Sequence, residues 1–397
     1  MQTFVVAGLE IKELLTFFYF AGEIMKVYLD NAATTAIAPE VLEEMLPFLT
    51  DHFGNPSSIH SYGRKTKAAI EKARKIVASA INASTAEVFF TSCGTESNNT
   101  VIKKSVTSLG VKRIISSTIE HHCVLHSVER AHENGVALDF VQLNTFGEPS
   151  YEHLEELLKA SNEKTLVSLM HSNNEIGTLL DLKRVGDLCQ QYGAYFHTDS
   201  VQTIGYYPLD VQEIKIHFLS GSAHKFYGPK GVGFVYISSD TMLKPFMDGG
   251  SQERNMRAGT ENIYGIVGLG KALELSLSQM EANRNSITAL KNYMISQLNK
   301  ELPDVAYNGY TDERGHYKVL SISIPITSKS EMLLFNLDIA GIAASGGSAC
   351  TSGTDIGSHV LEGIKADPNR KTVRFSFSKN NTKEEIDYLV EELKKIL

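Results

Sequence analysis

Between about residues 39 and 270, short apolar runs alternate with stretches whose apolar positions recur every three to four residues. The runs fall at 87–91, 113–117, 137–142, 166–171, 195–198, 217–220 and 233–237, lengths suited to buried strands. The stretches between them, at 56–81, 96–109, 122–134, 151–160 and 182–192, carry a helical period. Strands separated by helices predict βαβ units around a large, mostly parallel seven-stranded sheet, an α/β arrangement. A polar, amphipathic stretch at 267–302 predicts one long helix leading away from it. The pattern then changes to a strand at 319–324, a helix at 330–340 and a Ser/Gly-rich loop at about 345–358. A strand at 372–378 and a last helix at 383–397 complete it, with Thr382 placed as N-cap and Glu385 at the capping-box position. The expectation is a sheet domain over 39–270 followed by a smaller α+β domain over 271–397.

Composition narrows the class. The 397 residues are 42% hydrophobic and 21% charged, ordinary for a soluble globular chain, and the length favours two or three domains. A net charge of -8 gives no broad basic surface for nucleic acid. Cys93, Cys123, Cys189 and Cys350 are widely spaced with no CxxC pair, which points to a reducing compartment and a cytoplasmic location. Residues 1–24 include the apolar Phe17-Phe18-Tyr19-Phe20, yet Glu10, Lys12, Glu13 and Glu23 interrupt or flank it. No basic region, cleavage site or span-length run is present there, so neither a signal peptide nor a membrane helix is expected.

Candidate chemistry gathers at the predicted strand ends, where ligands collect in open α/β sheets. Lys225 closes Ser222-Ala223-His224-Lys225 after one such run, among small and hydroxyl residues. A desolvated lysine there gains amine nucleophilicity and suits a Schiff base, pyridoxal phosphate being the commonest cofactor that uses one. A surface lysine is the plain alternative. Ser92-Cys93-Gly94-Thr95-Glu96 opens a helix and offers N–H groups and hydroxyls to a phosphate, or merely an ordinary cap. Asp199 ends another run and can pair with a protonated pyridine nitrogen, or cap a turn. His121 stands at a loop-to-helix junction, placed to stack on a planar cofactor or to move protons. His122 and His126 share a helical face, but without a Glu motif or third ligand no metal site is expected. His171-Ser172-Asn173-Asn174-Glu175 is a further polar cluster, fit to orient cofactor oxygens or to satisfy loop backbone. Cys350 lies in Ser348-Ala349-Cys350-Thr351-Ser352, with no bulky neighbour to bury it, which predicts an exposed and mobile thiol. The other three cysteines read as structural.

Taken in order, these segments resemble the cysteine desulfurases of the class V aminotransferase group, pyridoxal phosphate enzymes that feed sulfur to iron–sulfur cluster assembly. The resemblance rests on Tyr28-Leu29-Asp30-Asn31-Ala32-Ala33-Thr34-Thr35, Gly54-Asn55-Pro56-Ser57-Ser58, Thr91-Ser92-Cys93-Gly94-Thr95-Glu96 and Glu120-His121. It continues through Asn173-Asn174-Glu175, His197-Thr198-Asp199, Ser222-Ala223-His224-Lys225, Arg257-Ala258-Gly259-Thr260, Ser348-Ala349-Cys350 and Val373-Arg374-Phe375. It covers the chain from about Met25 onward, leaving 1–24 as an unmatched extension and 25–38 as a segment packing with the smaller domain.

The fold implied is that of the fold type I pyridoxal phosphate-dependent transferases. By resemblance, Lys225 carries the cofactor, Asp199 meets its pyridine nitrogen and His121 stacks on its ring. Gln202 and Asn174 contact the ring oxygen or the substrate, while Gly94, Thr95, Ser222 and His224 bind the phosphate. Thr260 reaches the phosphate of a neighbouring subunit, implying a homodimer. Arg374 clamps the carboxylate of L-cysteine with Asn31 nearby, an arginine fork suiting that group. Cys350 receives the sulfur as a persulfide while L-alanine leaves. The loop around Cys350 looks like that of the group donating sulfur to scaffold proteins, where the same thiol can transiently ligate an iron–sulfur cluster. A selenocysteine lyase or an aminotransferase of the same fold is the nearest alternative, and a non-catalytic sulfur-assembly platform the alternative from another class.

Overall fold

The computed structural model describes residues 25–327, 330–346 and 357–397. The expectations for residues 1–24 and for Cys350 lie outside the described residues. The chain starts with strand β1 (Val27–Tyr28), helix α1 (Pro39–Thr50) and helix α2 (Ser61–Ala80). Strand β2 (Val88–Thr91), helix α3 (Gly94–Lys104), strand β3 (Arg113–Ser116), helix α4 (His122–Glu133) and strand β4 (Ala137–Phe140) follow. Next come helix α5 (Tyr151–Lys159), strand β5 (Thr165–Ser168), helix α6 (Leu182–Gln191), strand β6 (Tyr195–Asp199), strand β7 (Phe218–Ser222) and strand β8 (Gly233–Ile237).

Strands β2 to β8 form one seven-stranded sheet in the order β2-β8-β7-β6-β5-β3-β4. All neighbours are parallel except β8, which is antiparallel to both β2 and β7. Two reversals restore direction, so β2 runs the same way as β7. The carboxyl ends of β2, β3, β5, β6 and β7 therefore lie along one edge. Side chains explain why these strands read as unbroken apolar runs. Ile115, Val167, Phe196 and Leu219 enter one buried cluster. Their chain neighbours Ile114, Leu166 and Phe218 enter another on the opposite face. A parallel sheet covered on both faces needs apolar residues at every position.

Helices α7 (Ile263–Ser278) and α8 (Met280–Glu301) replace the single helix expected over 267–302. The break is at Gln279, whose φ of -108° and ψ of 4° leave the helical region while its side-chain oxygen accepts from Lys379 Nζ at 2.8 Å. The helix expected from 56 begins only at Ser61, because Asn55 turns the chain by accepting from Ser57 N and His60 takes the N-cap. The helix expected over 96–109 starts at Gly94 and ends in a wider turn, Ser105–Leu109, closed by Gly110 at φ +72°.

A second sheet holds strands β9 (Ala306–Asn308), β10 (Val319–Pro325) and β12 (Arg370–Ser376), all antiparallel, in the order β12-β10-β9. Helix α9 (Leu333–Ile339) leads to strand β11 (Ile342–Ala343), which pairs in parallel with β1. Helix α10 (His359–Gly363) and the terminal helix α11 (Lys383–Ile396) complete the chain, the last opening on the expected Thr382/Glu385 capping box. Asn31 N donates to Ser376 O and Ser376 N to Leu29 O, so the stretch after β1 is fastened to β12 and carried toward the edge of the large sheet.

Candidate active site

Five strand ends deliver the chemistry. Thr91 ends β2 and Gly94 opens α3 three residues later. His121 follows β3 as the N-cap of α4, and Asn174 follows β5. Asp199 is the last residue of β6, and Lys225 stands three residues beyond β7. Gly94, His121, Asn174, Asp199 and Lys225, together with Ala32, Ala33 and Arg374, line one cavity of about 260 Å³. Thr95, Gln202, Ser222 and His224 share its wall.

Lys225 Nζ donates to Ala32 O at 2.7 Å and to Ala33 O at 2.8 Å, while its own carbonyl accepts from Tyr206 Oη at 2.8 Å. Gln202 Nε2 also donates to Ala32 O, at 3.0 Å. The Asp199 carboxylate is held at both oxygens, by Val201 N at 2.9 Å and by Asn98 Nδ2 at 2.6 Å. Burial lowers the His121 imidazole below its ordinary value; Asp199 opposes that and Lys225 and His359 add to it. Burial takes His224 down to about 3, with Lys225 reinforcing it. Both imidazoles are thus neutral at physiological pH.

Arg374 is 1% exposed, and its guanidinium is already partly engaged. Nη2 meets Asp30 Oδ1 at 2.6 Å and Nη1 donates to Asn174 O at 2.8 Å, whereas Nε is buried with no partner among the described residues. Asn31 stands beside this pair but does not line the cavity. Its Nδ2 donates to Ser376 O at 2.8 Å, so the amide fastens the segment after β1. Thr260 lies apart from the others, on a second cavity of about 250 Å³ bounded by Thr91, Arg257 and Asn262. Glu253 anchors that region, taking Arg74 Nη1 at 2.7 Å and Nη2 at 2.9 Å.

The residues fit pyridoxal phosphate on grounds internal to the chain. Cys93, the N-cap of α3, gives no side-chain bond to the helix start, which leaves that start open to an anion. Beside it Ser222 Oγ is buried with no partner among the described residues, as is Gln202 Oε1. Orphaned buried polar atoms are rare in folded proteins and expensive, so their collection in one cavity marks the place of a polar ligand. Gly94 has no room for more side chain, since a Cβ there would lie 2.5 Å from Val201 Cγ2.

Among the lining residues not expected at the site, three carry a thiol or an amide. Cys93 and Cys123, read from the sequence as structural, both face the cavity, as does Asn98. Cys123 lies on the first turn of α4, which the strand end turns inward; a thiol gives no sequence signal of that orientation. Of the described cysteines only Cys189 is fully buried, in the core under α6. His122 packs against His359 at 4.3 Å and His126 at 5.1 Å between ring centroids. Among the described residues no group of three or more His, Cys, Asp or Glu is arranged to hold a metal ion.

Comparison with known proteins agrees with this geometry. The chain is 42% identical to the cysteine desulfurase IscS of Dictyoglomus turgidum over 376 residues, 94% of each chain. It is 43% identical over 377 residues to the cysteine desulfurase IscS of Clostridium botulinum, again 94% of each. An X-ray structure of a NifS-like protein from Rickettsia africae superposes with a TM-score of 0.84 at 32% identity, covering 94% of this chain and 99% of the other. Residues 27–389 match the model of the class-V aminotransferases, and the chain belongs to that family.

Proposed function

We infer that the chain is a pyridoxal phosphate-dependent cysteine desulfurase, releasing L-alanine from L-cysteine and passing the sulfur to Cys350. The observation that carries this is the meeting of Lys225, Asp199, His121 and Arg374 around one cavity whose other walls suit a phosphate. When bound, pyridoxal phosphate supplies an electron sink for the bonds at the substrate α-carbon. The residues supply the rest. Lys225 Nζ, placed by two carbonyls, provides the attachment point and carries the α-proton. The Asp199 carboxylate, fixed by two donors, holds positive charge on the ring nitrogen. Thr95, Ser222 and the open start of α3 bind the phosphate with Gly94 and His224. Asn174 and Gln202 orient the ring oxygen or the substrate. Arg374 takes the substrate carboxylate through its unpartnered N–H, with Asn31 holding the adjacent chain and His121 moving the thiol proton. The Cys350 sulfur then bonds to the substrate sulfur as its bond to carbon breaks; cysteine plus enzyme thiol become alanine plus enzyme persulfide, atom for atom.

The test is incubation of purified protein with L-cysteine and no keto acid. Alanine should form, and the peptide bearing Cys350 should gain the mass of one sulfur. Amino transfer to a keto acid with no added sulfur would instead make the chain an aminotransferase.

A homodimer is part of the proposal. Helix α1 buries Val41 and Met45 yet leaves Leu42 52% and Leu46 54% exposed. Phe53 at 72% and Ile59 at 91% are exposed as well. Patches of this kind on a soluble chain mark interfaces. Thr260 beside its own cavity fits a residue that serves the neighbouring subunit's phosphate. Sedimentation should give twice the chain mass of 43.7 kDa. A monomer retaining full activity would defeat this part. Residues 25–38 would then pack with a smaller domain over 271–397, set against a cofactor domain over 39–270. The acceptor would be an iron–sulfur scaffold or another sulfur-accepting protein, in the cytoplasm. Among the described residues no helix is long and apolar enough to cross a membrane.

A further inference from the structure

Two arms of the site are joined through Cys123, which none of the roles above uses. Asn98 Nδ2 donates to Asp199 Oδ2 at 2.6 Å and to Cys123 Sγ at 3.2 Å. Cys123 Sγ lies 3.0 Å from His121 Nδ1, and Cys123 N donates to the same nitrogen at 3.2 Å. Two acceptors fix the amide of Asn98 with its nitrogen toward them. Because a backbone N–H points at His121 Nδ1, that nitrogen is an acceptor and the neutral ring carries its proton on Nε2. The thiol then donates its own hydrogen to Nδ1 while accepting from Asn98, so Asn98 donates to both arms and Cys123 passes the second on to His121.

We propose that Cys123 is a positioning residue: its thiol, braced by Asn98, holds the His121 imidazole neutral with the proton on Nε2 and ties it to the carboxylate of Asp199. Burial pushes this thiol up to about 12, with Asp199 adding to the effect, so it stays protonated and is no second nucleophile. Its role differs from that proposed for Cys350, which must ionise to attack. The inference rests on reading His121 and Asp199 as site residues. The groups facing His121 are Asp199 from β6, Lys225 after β7, His359 from α10 and His126 from its own helix. Glu120, its chain neighbour, is fully buried and raised well above the carboxylate range by burial, so it holds its proton. Cys123, beside these groups, donates to His121 Nδ1 from its thiol and its backbone N–H.

The experiment is nitrogen-15 histidine NMR on cofactor-free protein, wild type against Cys123→Ala and Cys123→Ser, each titrated with acid. In wild type the His121 signal should report a proton on Nε2. Cys123→Ala removes a donor that favours the neutral ring, so the protonation midpoint of His121 should rise by about half a pH unit or more. Cys123→Ser retains an O–H donor and should restore it. In cofactor-loaded enzyme the acid limb of kcat/KM should move with the NMR midpoint. A midpoint unchanged in Cys123→Ala, or raised equally in both variants, overturns the proposal. The NMR signal needs no turnover, so a failure of the desulfurase reading would leave it intact and show separately as missing alanine.

Discussion

Replacing Lys225 with alanine should lower alanine formation from L-cysteine at least about a thousandfold, the scale of losing a nucleophile that is also the proton carrier. The amine has a defined seat. Two carbonyls, Ala32 O and Ala33 O, receive its hydrogens, and Tyr206 Oη holds the main chain below it. Alanine at 225 leaves those carbonyls without this donor but disturbs little packing, since the side chain faces a cavity rather than the core. Thermal stability of the variant should stay near that of wild type while turnover disappears. Visible absorbance of protein purified with pyridoxal phosphate separates the possibilities. Wild type should be yellow through its covalent link to Lys225, and the variant should lose colour on gel filtration. Turnover within tenfold of wild type, with normal colour, would remove Lys225 from the reaction.

How far the site was legible follows from where its residues stand. Strand ends bounded by buried apolar runs are visible because β3, β5, β6 and β7 are covered on both faces and leave no polar gap before the functional residue. Lys225, Asp199 and Gly94 each follow such a run, so their place on one edge was readable once the sheet was. Helix α1 was missed for the opposite reason. Leu42, Leu46 and Leu49 are exposed beside buried Val41 and Met45, and apolar residues on both faces blur the helical period. Asp30 was invisible as a partner for Arg374, because 344 residues separate them and only the fastening of β1 to β11 and β12 brings them together. The same distance in sequence hides any occupant of a buried guanidinium. Cys123 was hidden by residue type: a thiol on a helix's first turn reads alike whether it faces core or cavity.

The Asp30–Arg374 pair bears on how substrate enters. Asp30 covers one edge of the guanidinium and the Asn174 carbonyl covers another, leaving the buried Nε as the donor still to be satisfied. On the role proposed for Arg374, an arriving carboxylate would complete the set, and an amine without one would leave that donor orphaned. A site of this kind rejects ligands lacking the matching group more sharply than an apolar pocket does.

Replacing Cys350 with alanine should separate the two halves of the reaction. Lys225, Asp199 and Arg374 line the cavity and stay unchanged, so the variant should bind cofactor and L-cysteine and show the same visible spectrum as wild type. What it lacks is the sulfur that must bond to the substrate sulfur as carbon lets go. Cys93 and Cys123 also face the cavity and are the obvious substitutes. Cys123 cannot serve, since burial keeps its thiol protonated with a value near about 12 and the thiolate is the nucleophile. Without Cys350, alanine formation should fall by about two to four orders of magnitude, as for other lost nucleophiles, and no peptide should gain a sulfur. Serine at 350 should fare no better, because its oxygen forms no stable bond to sulfur under these conditions. Undiminished alanine and sulfide from Cys350→Ala would remove the persulfide from the pathway and make Cys93 the residue to test next.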